Sequence, residues 1–250
     1  MLRRLLFILP LLLAAAPVPA AEPLRLVTGT DYPPFADPKL PDGGALTELV
    51  RAAFSATGRE TSIAYTSWNR ALEETKLGRY DAALPYVPSP ERASSFFFSS
   101  PLFNVDTYAL SSSERDAAVK AIGPGMPGPI ACLPLGWTPQ PALRALLENG
   151  TAQQIDTTAA GSCLKMIQAG RVDFFVVSKP VGWHLMRSEE LPRRLFRFSD
   201  QPLSRSTLHL MVSRSRIGGE SLLAEFEQGM DRISKNGIAT NILARHGLLE

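Results

Sequence analysis

One phrase occurs twice in this chain, and the repetition limits the folds open to it. Residues 72–84 read LEETKLGRYDAAL and residues 164–176 read LKMIQAGRVDFFV. Gly-Arg-x-Asp recurs at Gly78–Asp81 and Gly170–Asp173, an offset of 92. Each copy follows a helical stretch and precedes an apolar run. Glycine lacks a Cβ and suits the left-handed turn that ends a helix, so each phrase reads as helix, tight loop and buried strand. Two copies at this spacing predict two similar α/β lobes with a cleft between them.

The N-terminus stands outside that pattern. Arg3 and Arg4 precede an apolar run over 5–16, and small residues follow at 18–21. This is the layout of a secretory signal peptide over residues 1–21, cleaved after Ala20 or Ala21. The run falls short of the roughly 20 residues a membrane-spanning helix needs. Of the 26 basic residues, Arg3 and Arg4 leave with the signal, so 24 remain against 24 acidic ones. A balanced chain offers no basic face for nucleic acid. The reading is a periplasmic protein with no membrane insertion after cleavage.

Export bears on the two cysteines, Cys132 and Cys163. In an oxidising compartment an isolated pair favours a disulfide. Closing a loop of this length stabilises by about 3–4 kcal/mol in the loop-entropy model.

Apolar periodicity sets out the elements. Strands are expected at 24–28, 61–65, 82–86, 106–111, 129–132, 152–155, 174–178 and 208–213. Helices are expected at 68–77, 140–149, 160–169, 180–187 and 238–246. Leu46, Leu49, Val50, Ala53 and Phe54 form one face of a further helix, and Leu222, Phe226, Met230 and Ile233 of another. Strand–helix alternation predicts parallel sheets covered by helices on both faces. The expected division is lobe 1 at 22–111, lobe 2 at 112–203, and a tail at 204–250 that returns to lobe 1. The chain then crosses between lobes twice, near 111–113 and 202–207.

The segment SWNRALEETKLGRYDAALPYVPSPERASSFFFSSPLF, residues 67–103, carries a resemblance. Tyr32-Pro33-Pro34-Phe35, Gly78-x-Tyr80-Asp81, Ser89-Pro90-Glu91-Arg92 and Phe98-Ser99-x-Pro101 follow one another in order. With Gly170-x-Val172-Asp173, this series resembles the extracellular solute-binding proteins of family 3, the polar amino acid receptors of ABC importers. The resemblance implies a type II periplasmic-binding-protein fold: two α/β lobes, a two-segment hinge and a ligand cleft. It implies a monomer that hands a small-molecule solute to an ABC importer permease, without a cofactor and without catalysis.

The resemblance also implies a site. Arg92 stands where relatives hold the ligand carboxylate, and a guanidinium fork suits that group. Trp68 matches a stacking aromatic, and also fits a core tryptophan at a helix start. Asp31 and Tyr32 lie in the loop that borders the cleft. Tyr86 ends a strand, where α/β folds bind ligands. In the second lobe, Thr138 remains as a donor near a helix start. Ser178 aligns with the aspartate that pairs with a ligand amine. Either Asp31 supplies that anion or the solute lacks an amine.

Other patterns carry less. The Gly-rich phrase at 123–128 lacks a preceding strand, and Ser162-x-x-Lys165 lacks the partners of an acyl-serine enzyme. His184, His209 and His246 have no metal-ligand spacing. Two alternative roles share the fold. One is a dehydratase or lyase acting on small acids, with Asp31, Glu48 or Glu91 as its acid–base group. The other is a ligand-sensing receptor.

Overall fold

A computed structural model describes residues 22–114 and 128–249. The signal-peptide reading of 1–21 lies outside the described residues, as does most of the 123–128 phrase. The first half runs β1 (Leu24–Gly29), α1 (Ala45–Ala56), β2 (Thr61–Thr66), α2 (Trp68–Lys76), β3 (Ala82–Tyr86), α3 (Pro90–Ser95), β4 (Phe96–Phe98) and β5 (Phe103–Ser112). The second runs β6 (Ile130–Pro134), α4 (Pro141–Glu148), β7 (Gln153–Thr157), α5 (Ala160–Gln168), β8 (Phe174–Ser178), α6 (Lys179–Ser188) and β9 (Phe196–Phe198). Then β10 (Ser204–Ser213), α7 (Gly219–Lys235) and α8 (Ile238–Arg245) follow.

The repeated phrase does the same work in both halves. Gly78 and Gly170 end α2 and α5 with φ of 75° and 67°, the left-handed region their lack of a Cβ permits. The aspartate three residues on then clamps the strand that opens its half. Asp81 N–H donates to Arg25 O at 2.7 Å, and Arg25 N–H donates to an Asp81 carboxylate oxygen at 2.8 Å. In the second half, Asp173 and Ile130 exchange the same two bonds, each at 2.8 Å. Each clamp satisfies backbone groups at a strand start and fixes where the next strand enters.

The strands follow the order β2-β1-β3-β10-β5-β8-β6-β7, with β4 added to β10 and β9 to β5. The expected parallel pairing holds within each half: β1 pairs parallel with β2 and β3, and β6 with β7 and β8. It fails for β5 and β10, which run antiparallel to their neighbours. These two long strands serve both halves. Ser204–Leu208 of β10 pair with Thr107–Phe103 of β5, while His209–Ser213 pair with β3 and β4. β5 pairs with β8 from Thr107 to Ser111, so its C-terminal part runs along the second half.

Both strands also begin earlier than their apolar cores suggested. Residues 204–207 read SRST, and backbone pairing to β5 holds them without an apolar signal. The short α3, β4 and β9 were not foreseen, being too brief to show a period.

Side-chain alternation splits β8 cleanly. Phe175 and Val177 join the main core, while Phe174 and Val176 face a smaller cluster with Ala109, Ala131 and Leu143. The disulfide Cys132–Cys163 ties β6 to α5 inside the main core. On the first half, the expected face of α1 is fully buried against α7, with the Phe54 and Phe226 rings 5.2 Å apart. Among the described residues, no helix is long and apolar enough to cross a membrane.

The α1–α7 contact turns on Gly229, which the apolar pattern of α7 did not reveal. A Cβ there would lie 2.0 Å from the backbone oxygen of Ala53. Gly229→Ala must therefore push the helices apart. The expected cost is about 1–3 kcal/mol, the usual range for overpacking. At this chain length each kcal/mol lowers Tm by about 2–4 °C, so a thermal melt tests it. An unchanged Tm would show that α1 and α7 separate freely.

Candidate functional site

Between the halves lies a cavity of about 70 Å³. That is well above the roughly 10–15 Å³ a cavity needs to hold one water. Six of the seven residues expected at the site line it: Tyr32, Trp68, Tyr86, Arg92, Thr138 and Ser178. Asp31 is not among them.

Arg92 reaches the cavity from α3, whose start is written in the sequence. Ser89 accepts the Arg92 N–H at 3.2 Å as the N-cap, and Pro90 fills the first helical position. The guanidinium is half-buried. It donates to Val87 O at 2.9 Å and to Thr138 Oγ1 at 2.7 Å, the second bond crossing between the halves. Its carbon sits 5.1 Å from the Tyr86 ring centroid. Burial pushes its pKa down from the ordinary value. Of its five N–H donors two are engaged, and no carboxylate pairs with it among the described residues.

Trp68 packs as a core tryptophan and also borders the cavity. It is 8% exposed at the start of α2, packed in a cluster with Val27, Ala83 and Tyr86, and it lines the cavity. Its Nε1 donates to Thr30 O at 2.9 Å, and its backbone oxygen accepts from the Tyr86 hydroxyl at 2.8 Å. Tyr32 meets Trp68 edge to face at 5.8 Å and Trp137 of the second half at 5.0 Å. Burial raises both phenols, Tyr32 and Tyr86, far above their usual range.

In the second half, Ser178 ends β8 and is 4% exposed. Its hydroxyl does not cap α6 and finds no partner among the described residues. Trp137 and Gln140 line the cavity and were not on the expected list. Both lie in the loop from β6 to α4, beyond a strand end where α/β folds place ligands. That position was the available signal. The Trp137–Tyr32 contact spans 105 residues, which no local pattern shows.

Asp31 instead reaches across the halves. It holds a φ of 62°, and its carboxylate accepts the Ala160 N–H at the start of α5. The other two acids considered for catalysis are also away from the cavity: Glu48 pairs with Arg245 and His246, and Glu91 is exposed on α3. Among the described residues, no cluster of His, Cys, Asp and Glu could hold a metal ion.

This is the architecture of a two-lobed solute receptor. The family model of bacterial extracellular solute-binding proteins, family 3, matches residues 24–248, and the chain belongs to that family. No curated protein matches it. Among solved structures, an ancestral arginine-binding protein bound to arginine is similar at a TM-score of 0.74 and 17% identity, over 89% of this chain and 96% of that one. The arginine-, lysine-, histidine-binding protein ArtJ from Geobacillus stearothermophilus gives 0.72 and 16%, over 90% and 94%. A histidine kinase sensor domain with similarity to periplasmic binding proteins gives 0.72 and 20%, over 89% and 95%. These likenesses confirm the type II periplasmic-binding fold.

Asp31 generates a pH prediction. Burial, the largest cause, raises its pKa above 3.8, against the lowering effect of the Ala160 bond. A raised acid is penalised when ionised, so the folded chain bears that penalty fully above the raised pKa and loses it below 3.8. Asn keeps an oxygen for Ala160 and tolerates positive φ. Asp31→Asn should therefore melt higher than wild type at pH 7, with the gain shrinking as pH falls toward 4. A variant that melts lower at pH 7 would show that the charge is net stabilising.

Proposed function

We propose that this chain is a periplasmic receptor that captures a small carboxylate-bearing solute, an amino acid or a related acid, for an ABC importer. The observation that carries this is Arg92: a half-buried guanidinium with free donors, facing a cavity in which no described residue supplies an anion. Arg92 would anchor the carboxylate, with Thr138 and Ser178 supplying hydroxyls from the opposite half. Trp68, Tyr86 and Tyr32 would line the apolar side. The two lobes would divide within β5 and β10, whose crossing segments would act as the hinge for closure.

Family membership supports binding over catalysis. So does the absence of Asp, Glu and His from the described lining, which leaves no group of ordinary acid–base strength at the solute. A sensing role would use the same capture step and differ only in what reads it.

Thermal melting of the mature chain against a panel of small carboxylates tests the reading. A true ligand at 100 times its Kd adds about 2.7 kcal/mol. Charge-assisted bonds contribute roughly 1.5–3 kcal/mol. Arg92→Ala should therefore weaken binding of that ligand by at least about tenfold, with the fold retained. Arg92→Lys keeps the charge, loses the fork, and should fall between. Undiminished binding by Arg92→Ala would refute the anchor.

A further inference from the structure

Resting on the reading of Arg92 as a carboxylate anchor, we propose that the solute is a compact acid without an amine. It carries a neutral oxygen beside its carboxylate, as 2-oxo and 2-hydroxy acids do, and a zwitterionic α-amino acid is disfavoured.

Charge is the first ground. Among the described lining residues Arg92 is the one charged group, so an anion is complemented and an ammonium is not. An ammonium placed here would leave water without a counter-charge and would share the cavity with a guanidinium, two costs in the same direction. Asp31, the acid expected to meet an amine, is outside the lining and accepts from Ala160 instead.

Three neutral acceptors of the lining are already engaged, and the Ser178 hydroxyl alone would bring an ammonium no counter-charge. Thr138 Oγ1 accepts from Arg92, and Gln140 Oε1 accepts from the Ser206 hydroxyl at 2.7 Å. Thr107 Oγ1 pairs with the Ser204 hydroxyl at 2.7 Å. Nor do the rings form an open cage for a cation. Tyr32 meets Trp68 and Trp137 edge to face, Trp68 meets Tyr86 the same way, and Arg92 covers the Tyr86 ring.

One polar group is left over. Ser178 lines the cavity, and its buried hydroxyl has no partner among the described residues, a lack it shares with Thr28 and Thr61 outside the lining. Buried hydroxyls seldom go unpaired, and this one belongs to a residue of the cavity wall, where a ligand atom could pair with it. A hydroxyl can donate to a keto oxygen or accept from another hydroxyl, and either pairing is neutral. The rest of the wall is apolar, with Leu133, Leu143, Val176 and Leu208 fitting a hydrocarbon body.

Calorimetry on the mature chain with matched sets tests this. The sets are pyruvate, lactate and alanine; ketoisocaproate, leucate and leucine; and phenylpyruvate, phenyllactate and phenylalanine; glycine betaine stands alone. The oxo or hydroxy acid of at least one set should bind at least about tenfold tighter than its amino acid, a gap of about 1.4 kcal/mol. Ser178→Ala should weaken that acid several-fold. Ser178→Asp should reverse the preference within the set by giving an ammonium its counter-charge. Should that variant fail to fold, the wild-type comparison decides. An amino acid or glycine betaine binding as tightly as the best acid overturns the proposal; loss of that binding in Arg92→Ala then shows that the anchor survives. If no member of any set binds, the proposal and the carboxylate anchor fall together.

Discussion

β5 and β10 each belong to two sheets' worth of neighbours, and every feature of the cavity depends on this sharing. Phe103–Thr107 and Ser204–Leu208 pair with each other, and beyond that stretch each strand enters a different half. Antiparallel backbone bonds hold the two strands together where the halves meet. The side chains they present there, Thr107 and Leu208, sit in the cavity wall. Thus the connection between halves and the floor of the site are the same few residues.

Across this floor the halves touch through a small set of unlike contacts. Arg92 donates to Thr138, Asp31 accepts from Ala160, and Tyr32 packs on Trp137. The last is apolar, and Trp137 also packs against the Trp68 cluster of the first half. The polar contacts are ones water can replace, at a net cost of roughly 0.5–1.5 kcal/mol for an ordinary hydrogen bond. Apolar burial is continuous beneath them: the fully buried Phe54, Phe226 and Phe175 belong to one cluster that runs through both halves.

Much of this was legible in the sequence because it is local. The clamps of Asp81 and Asp173 sit in a repeated phrase, the α1 face follows a 3.6-residue period, and the Ser89-Pro90-Glu91-Arg92 phrase singled out Arg92, though not the short helix that carries it. What was hidden depends on long-range approach. Gly229 reads as a helix-weakening residue until Ala53 is seen against it. Trp137 reads as a loop aromatic until Tyr32 meets it. Asp31 reads as a cleft acid because its loop borders the cavity. Its positive φ instead turns its carboxylate to α5, and backbone conformation of that kind leaves little mark on composition.

On the proposed reading, a carboxylate occupies the space between Arg92 and the opposite half. A crystal structure of the mature chain with its tightest-binding acid tests it most directly. The account predicts both carboxylate oxygens within hydrogen-bond reach of the Arg92 guanidinium, about 2.7–2.9 Å, inside the cavity lined by Trp68 and Trp137. A solute bound elsewhere, with Arg92 still held only by Val87 and Thr138, would contradict it.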